Sequence, residues 1–296
     1  MRNLYDEQNK DLLLRCLVAR RRANSLCKSL NFVCLALSVI GVWLAQYAEE
    51  SETTRAYACV IFAVVSWVAI KIFRWWSAVC QRRAALLQQY FDASVFSVES
   101  NAFEKEALGV CVSESELADW LHGISAKDFS KHKVRNWYVK SSLQDPLDRI
   151  LNCQRQCIIW DKALHEWYFA LCSIVALIIV SILGWLGWDE AVWKVVYRLL
   201  MAGSFLGIVV EGLFKQFQDV LRIRDMLGFV RRLEAGVAGV AINPTSLVYL
   251  QNRLFEHRLV SALVPDWFYK ISRSCLQRRI KEACRSLAAI KEGTNA

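Results

Sequence analysis

Residues 30–73, LNFVCLALSVIGVWLAQYAEESETTRAYACVIFAVVSWVAIKIF, decide the fold. Two almost wholly apolar runs, 30–48 and 56–73, are separated only by the acidic stretch 49–55. A helix rises ~1.5 Å per residue and bilayer hydrocarbon is ~30 Å thick, so roughly 20 apolar residues are needed to cross it. Each run meets that length, and the short gap forces the chain straight back: a transmembrane hairpin. A second pair repeats the arrangement at 167–185 and 195–214, joined by a turn containing Asp189 and Glu190. Buried core helices of a soluble protein are the competing reading. Against it stand the tight pairing and the tryptophans near the run ends (Trp43, Trp75, Trp76, Trp167, Trp185, Trp188, Trp193), which match an interfacial aromatic belt.

Composition agrees. Apolar residues make up 55% of the 296 and only three are proline, an unusual balance for a soluble chain. Seven Lys/Arg fall within residues 1–29 and fourteen within 215–296, whereas the two turns carry an acidic excess. Positive residues stay on the cytoplasmic side, so both termini and the connector between the hairpins are expected inside. The first apolar run begins only at Leu30, behind a charged helix-like stretch, so no cleavable signal peptide is expected. The chain reads as a mostly all-α polytopic membrane protein with four transmembrane helices in two hairpins. A basic amphipathic helix (1–29) precedes hairpin 1 (30–73). A cytosolic connector and sensing region (74–166), hairpin 2 (167–214) and a cytosolic helical region (215–296) follow.

Local signals place the smaller elements. FDASVFSV (91–98), rich in aromatic and β-branched residues, predicts a short strand. Ser113 with Glu116 forms a capping box and Gly123 is the expected stop. Pro146, Asn243-Pro244 and Pro265-Asp266 start three further helices. An offset of 134 residues sets Arg21 against Arg155 and Lys28 against Lys162, with apolar residues at matching helical spacing. Parallel duplication of a helix-hairpin unit and coincidence both fit that offset.

Chemistry is sparse. Eleven scattered cysteines read as small apolar residues of a reducing compartment, and Cys153/Cys157 lacks the second pair that zinc needs. No Walker loop, HExxH, GxSxG or dinucleotide fingerprint is present, so neither enzymatic activity nor a cofactor is expected. Polar residues inside the apolar runs are more informative, because an ionisable group in hydrocarbon needs a partner or a path to water. Lys71 and Glu211 lie toward the cytosolic ends of their runs and would pair across the hairpins, unless Lys71 simply reaches the headgroups. Arg198 sits near the outer end of the fourth run. Gly203 and Gly207 form a GxxxG face for packing within the chain or between copies.

In the connector, KHKVRNWY (131–138) places Lys133 and Arg135 to neutralise phosphate and Trp137 and Tyr138 to stack on a base; a basic surface beside anionic headgroups is the plainer alternative. Twelve basic and twelve acidic residues in 74–166 leave no broad cationic field, which argues against long DNA or RNA as a partner.

Several short motifs occur in a telling order: Phe91-Asp92 with Val95-Phe96, Asn136-Trp137-Tyr138, Cys153-Gln154-Arg155 with Trp160-Asp161, and Pro265-Asp266-Trp267-Phe268-Tyr269. Around two hairpins, the set resembles the SMODS-associating four-transmembrane effector family. Val139 departs from it, standing where a proline often follows the Trp-Tyr pair, and few basic residues separate Asp161 from the third run. The resemblance implies a role in bacterial cyclic-oligonucleotide-based anti-phage signalling. There a CD-NTase partner makes a cyclic di- or trinucleotide, and the effector binds it, oligomerises and permeabilises the inner membrane. Arg155 would then join Lys133, Arg135, Trp137 and Tyr138 at the ligand, while Trp160 and Asp161 couple the sensing region to the third span; an internal ion pair of Arg155 and Asp161 is the structural alternative. A constitutive channel or transporter and a non-conducting scaffold are the competing functions.

Overall fold

The computed structural model describes residues 3–49, 53–186, 203–236 and 242–294. These residues are helical throughout, with short connecting loops. In chain order they form α1 (Leu4–Glu7), α2 (Asp11–Glu49), α3 (Thr53–Phe96), a 3-10 turn (Asn101–Phe103), α4 (Glu114–Leu121), α5 (Ala126–His132), α6 (Pro146–Leu186), α7 (Gly203–Glu234), α8 (Pro244–Val260) and α9 (Asp266–Thr294).

Polar residues inside and apolar residues outside reveal what the long helices do. From Val60 to Val79, α3 exposes Ile61, Val64, Val65, Trp67, Val68, Trp75 and Trp76; from Cys80 onward it buries Ala84, Leu87, Phe91 and Phe96 together with Gln88, Gln89 and Asp92. The same reversal divides α6. Asn152, Gln154, Gln156 and His165 are buried in its first half, whereas Ile174, Leu177, Ile178, Val180 and Trp185 are exposed in its second. Such an apolar exterior is unfavourable in water and matches a lipid environment. Two helical segments, Asp11–Gly41 and Val60–Phe96, are long and apolar enough to cross a membrane, and only 22% and 11% of their apolar windows are buried. A soluble core helix would be mostly buried. The fourth expected span lies partly outside the described residues, as does Arg198.

Both helix pairs are antiparallel. Cys27 contacts Ser77 (Sγ···Oγ 2.7 Å) and Cys34 faces the Ile70 carbonyl, so rising numbers on α2 meet falling numbers on α3. Between α6 and α7, Arg155 meets Glu234 and His165 meets Gln216. Beyond the apolar sections, one hydrophobic cluster joins α1, α2, α3, the connector, α6, α7 and α8 around Leu4, Leu17, Phe91, Phe96, Tyr138, Ile150, Ile223 and Leu247. The stripes related by the 134-residue offset share burial at their starts, Cys16 and Ala19 against Ile150 and Cys153, and differ later, where Val33 is exposed.

Most start and stop signals act as expected. Ser113 and Glu116 exchange both bonds of the capping box, and Gly123 takes φ +70 just past α4. Asp145 Oδ1 accepts from the Leu147 and Asp148 amides at the start of α6, and Asn243 caps α8. The strand expected over 91–98 is instead the last turns of α3. Leu87, Phe91 and Val95 recur every four residues on its buried face, and that packing overrides their β propensity.

Candidate ligand site

The loop after α5 is built by amide side chains. Asn136 adopts φ 51, a left-handed conformation that asparagine tolerates, and is held by Asn9 through two bonds of 3.1 Å. Gln8 Oε1 accepts from the Tyr138 amide at 2.8 Å, and Gln156 both accepts from the Val139 amide (2.9 Å) and donates to its carbonyl (3.1 Å). Two glutamines thus stand in for neighbouring strands. Val139 explains its own departure from the family pattern, since a proline there would have no N–H to give Gln156.

The loop directs Tyr138 inward. Its hydroxyl donates to Asp92 Oδ1 at 2.6 Å, and its ring lies 5.7 Å from Phe96 and 6.1 Å from Phe91. Asp92, fully buried, also accepts from Gln88 (2.8 Å), Gln251 (3.0 Å) and Arg258 (2.6 Å). Burial opposes the Arg258 cation, but Asp92 outweighs it and raises the guanidinium above its ordinary value; burial beside Asp92 raises the Tyr138 phenol. At 2% exposure Tyr138 is a core residue and is not placed to stack on a ligand, contrary to the expectation from spacing.

Trp137 packs against the edge of the same core and remains half-buried. Arg20 lies over its ring at 4.9 Å and Arg21 at 5.9 Å, within cation–π reach. Arg21 donates to the His132 carbonyl and faces Tyr269, Arg273 and Asp266. Arg20 makes no ion pair among the described residues. Burial, then repulsion from Arg258 and Arg21, lowers its guanidinium, with Asp161 only partly offsetting. Crowded arginines at the rim of a half-buried indole create a local positive potential whose natural complement is a compact anion carrying an aromatic group.

The remaining expected residues distribute as follows. Lys133, at φ 48, and Arg135 are exposed on the same loop. Arg155 is half-buried and ion-paired with Glu234 at 3.3 Å, so the structural alternative describes it, with a different partner from Asp161. Trp160 stacks on Tyr269 of α9 (5.7 Å), and Asp161 faces Arg20 and His257. Glu211 does join the hairpins, but through Arg74 (2.8 Å) and not Lys71, whose ammonium sits 5.6 Å above the Trp67 ring. Arg74 stands one turn further along α3, nearer the end of its exposed apolar section. Among the described residues, a Cβ added at Gly207 would meet nothing within 4 Å. Arg20, Arg21 and Arg258 were not anticipated. The signal for the first two was the run Arg20-Arg21-Arg22, three cations continuing around a helix whose other side is core.

A cleft of about 780 Å³ lies elsewhere, lined by Asn3, Glu7, Ser97, Glu99, Pro146 and Arg149. Glu99 already neutralises Arg149 at 2.6 Å and Glu7 adds another carboxylate, so the cleft is ill suited to an anion.

The convergence of the short motifs on one hub is the mark of a shared core, and the family model of the SMODS-associating 4TM effector domain matches residues 2–191. The chain belongs to this family. No curated protein and no solved structure matches it. Membership in this effector family, with the apolar helices, makes it a membrane protein linked to cyclic-nucleotide signalling. The matched range contains Arg20, Arg21, Trp137 and Asp92, while Arg258 and α9 lie beyond it.

Proposed function

We propose that the protein is a messenger-gated effector of anti-phage signalling. A CD-NTase supplies a cyclic di- or trinucleotide, which binds at Arg20, Arg21 and Trp137; the chain then oligomerises and permeabilises the bacterial inner membrane. It acts without catalysis. The phosphates meet the arginines and a base stacks on the indole, with Lys133 and Arg135 contributing at the rim.

The observation that carries this reading is continuity. Arg20 and Arg21 lie on α2, the same helix that becomes an exposed apolar segment, and Asp161 lies on α6, which does likewise. A ligand that draws α2, the Trp137 loop and α6 together therefore moves the membrane segments without an intervening hinge. It works as a switch only if it binds the rearranged state more tightly than the resting one.

The test is dye release from proteoliposomes across a panel of cyclic di- and trinucleotides. One or a few members of the panel are expected to trigger release, and Arg20→Ala and Trp137→Ala to weaken nucleotide binding at least about tenfold, the loss of one or two charge-assisted or stacking contacts. Release without nucleotide, or none with any of the panel, overturns the proposal.

A further inference from the structure

Against α6, α9 packs on the short section that leads into the exposed apolar half. Near its start, Phe268 stacks on Tyr168 (5.3 Å) and Tyr269 on Trp160 (5.7 Å); eleven residues later Arg279 lies over Trp167 at 4.8 Å, and Leu276 joins Ala163 and Leu164 between them. Eleven residues advance a helix by roughly 16 Å. Over that length the contacts on α6 span 160–168, roughly 12 Å of that helix, so α9 lies obliquely across α6. Residue 167 is also where the apolar section of α6 begins, and α9 therefore lies across the cytosolic margin of the membrane.

Its two flanks differ. Phe268, reaching Tyr168, marks the flank toward the apolar section; Tyr269, reaching Trp160, marks the flank toward the cytosolic core. Ile271 follows Phe268 by three residues and Trp267 by four, which places all three on the membrane-side flank. Ile271 is 72% exposed and Trp267 54%, so neither is covered by the described residues. Lys270 and Arg278 are exposed beside them. Apolar side chains facing hydrocarbon, bordered by cations at headgroup level, form the pattern of a helix lying in the membrane interface.

From this placement we infer that α9 is an interfacial anchor. Trp267 and Ile271 insert between the acyl chains of the leaflet at the cytosolic margin, while Lys270, Arg278 and Arg279 bind anionic phospholipid headgroups. Its occupant is the same bilayer the long helices cross, continuous with their exposed apolar surface. This inference rests on the membrane location of the chain. A protein soluble without lipid or detergent would sink both, whereas the experiment below can fail while that location stands.

The full-length protein is placed in nanodiscs of phosphatidylcholine, alone or mixed with phosphatidylglycerol, one copy per disc, and trypsin cleavage after Lys270, Arg273, Arg278 and Arg279 is followed by mass spectrometry. Cleavage is expected to be slower in either disc than in detergent, and at least about tenfold slower with phosphatidylglycerol, given several cations near an anionic surface. Trp267→Ser with Ile271→Ser restores the detergent rate. Both side chains are exposed, so the thermal midpoint in detergent is expected to be unchanged. Lys270→Glu with Arg278→Glu removes the dependence on phosphatidylglycerol. Equal cleavage in detergent and both discs overturns the inference, as does protection that appears only with two copies per disc, which would assign the surface to a second protomer.

Discussion

Asp92 is the residue on which the helical body turns. It gathers Gln88 from its own helix, Tyr138 from the connector, and Gln251 and Arg258 from α8, and it has no contact with solvent. Truncating one member of a buried ion pair leaves the other charge desolvated, which costs about 3–5 kcal/mol. Arg258→Ala is therefore expected to lower the thermal midpoint in detergent sharply, and Asp92→Asn added to it to recover part of the loss, because no buried charge then remains. His257 gives a pH dependence. Burial comes first in lowering its value to about 4, with His165, Arg258 and Arg222 adding repulsion and Asp161 opposing; Asp219 stands 3.7 Å away. The ring is neutral in the folded state, and the unfolded chain takes up its proton more readily. Stability is accordingly full above the ordinary histidine value of 6.5 and falls as pH drops from 6.5 toward 4, by roughly 3 kcal/mol for this one group. Asp219 is raised by burial and acts in the opposite sense in acid, so the informative quantity is the difference between wild type and His257→Gln. That variant is expected to flatten the decline over this window; an unchanged slope would assign it elsewhere.

At the scale of elements, α6 does two jobs in one uninterrupted rod: it buries glutamines against α8 and the connector, then presents valine, isoleucine and leucine outward. Lys162 lies between the halves, half-buried, with Glu166 4.0 Å away. Lys162→Pro removes one helical hydrogen bond and kinks the rod, at a local cost of about 3 kcal/mol. Nucleotide binding, measured by titration, is expected to survive while nucleotide-triggered dye release is lost; loss of both would mean that the two halves do not act in series. Helix starts were legible in the sequence because each rests on a residue that satisfies orphan amides locally, such as Ser113, Asp145 or Asn243. The tail of α3 was not, since Phe91, Val95 and Phe96 share strand-like composition and are helical only because partners from the connector and α8 lie on one side. The candidate site was half legible. Trp137 stood out by its neighbours, but the direction of Tyr138 depends on Gln8 and Asp92, 130 and 46 residues away, and the role of Arg20 depends on helix-to-helix packing.

For the whole molecule, the cytosolic body constrains the path of the chain. Leu4 from the N-terminal segment, Phe103 and Tyr138 from the connector, and Leu247 and Leu254 from the C-terminal region share one hydrophobic cluster, and Leu276 of α9 packs against Leu164 of α6 just beside it. Three segments that meet in one core lie on one side of a membrane. Between the first and second the chain leaves along α2 and returns along α3; between the second and third it leaves along α6 and returns along α7. On the proposed four-span reading each excursion out of the body is even in number of crossings, whereas a three-span arrangement would separate segments that share the cluster. On the proposed topology, the distribution of Lys and Arg puts that body in the cytoplasm. Fluorescent-protein fusions at residue 1 and residue 296 are both expected to be bright. Alkaline phosphatase inserted after Glu50 or after Asp189 is expected to be active, since each position falls in an acidic stretch of sequence between two apolar runs. Activity at one turn and not the other would leave a single crossing pair and would remove α7 from the set of helices that a messenger could move.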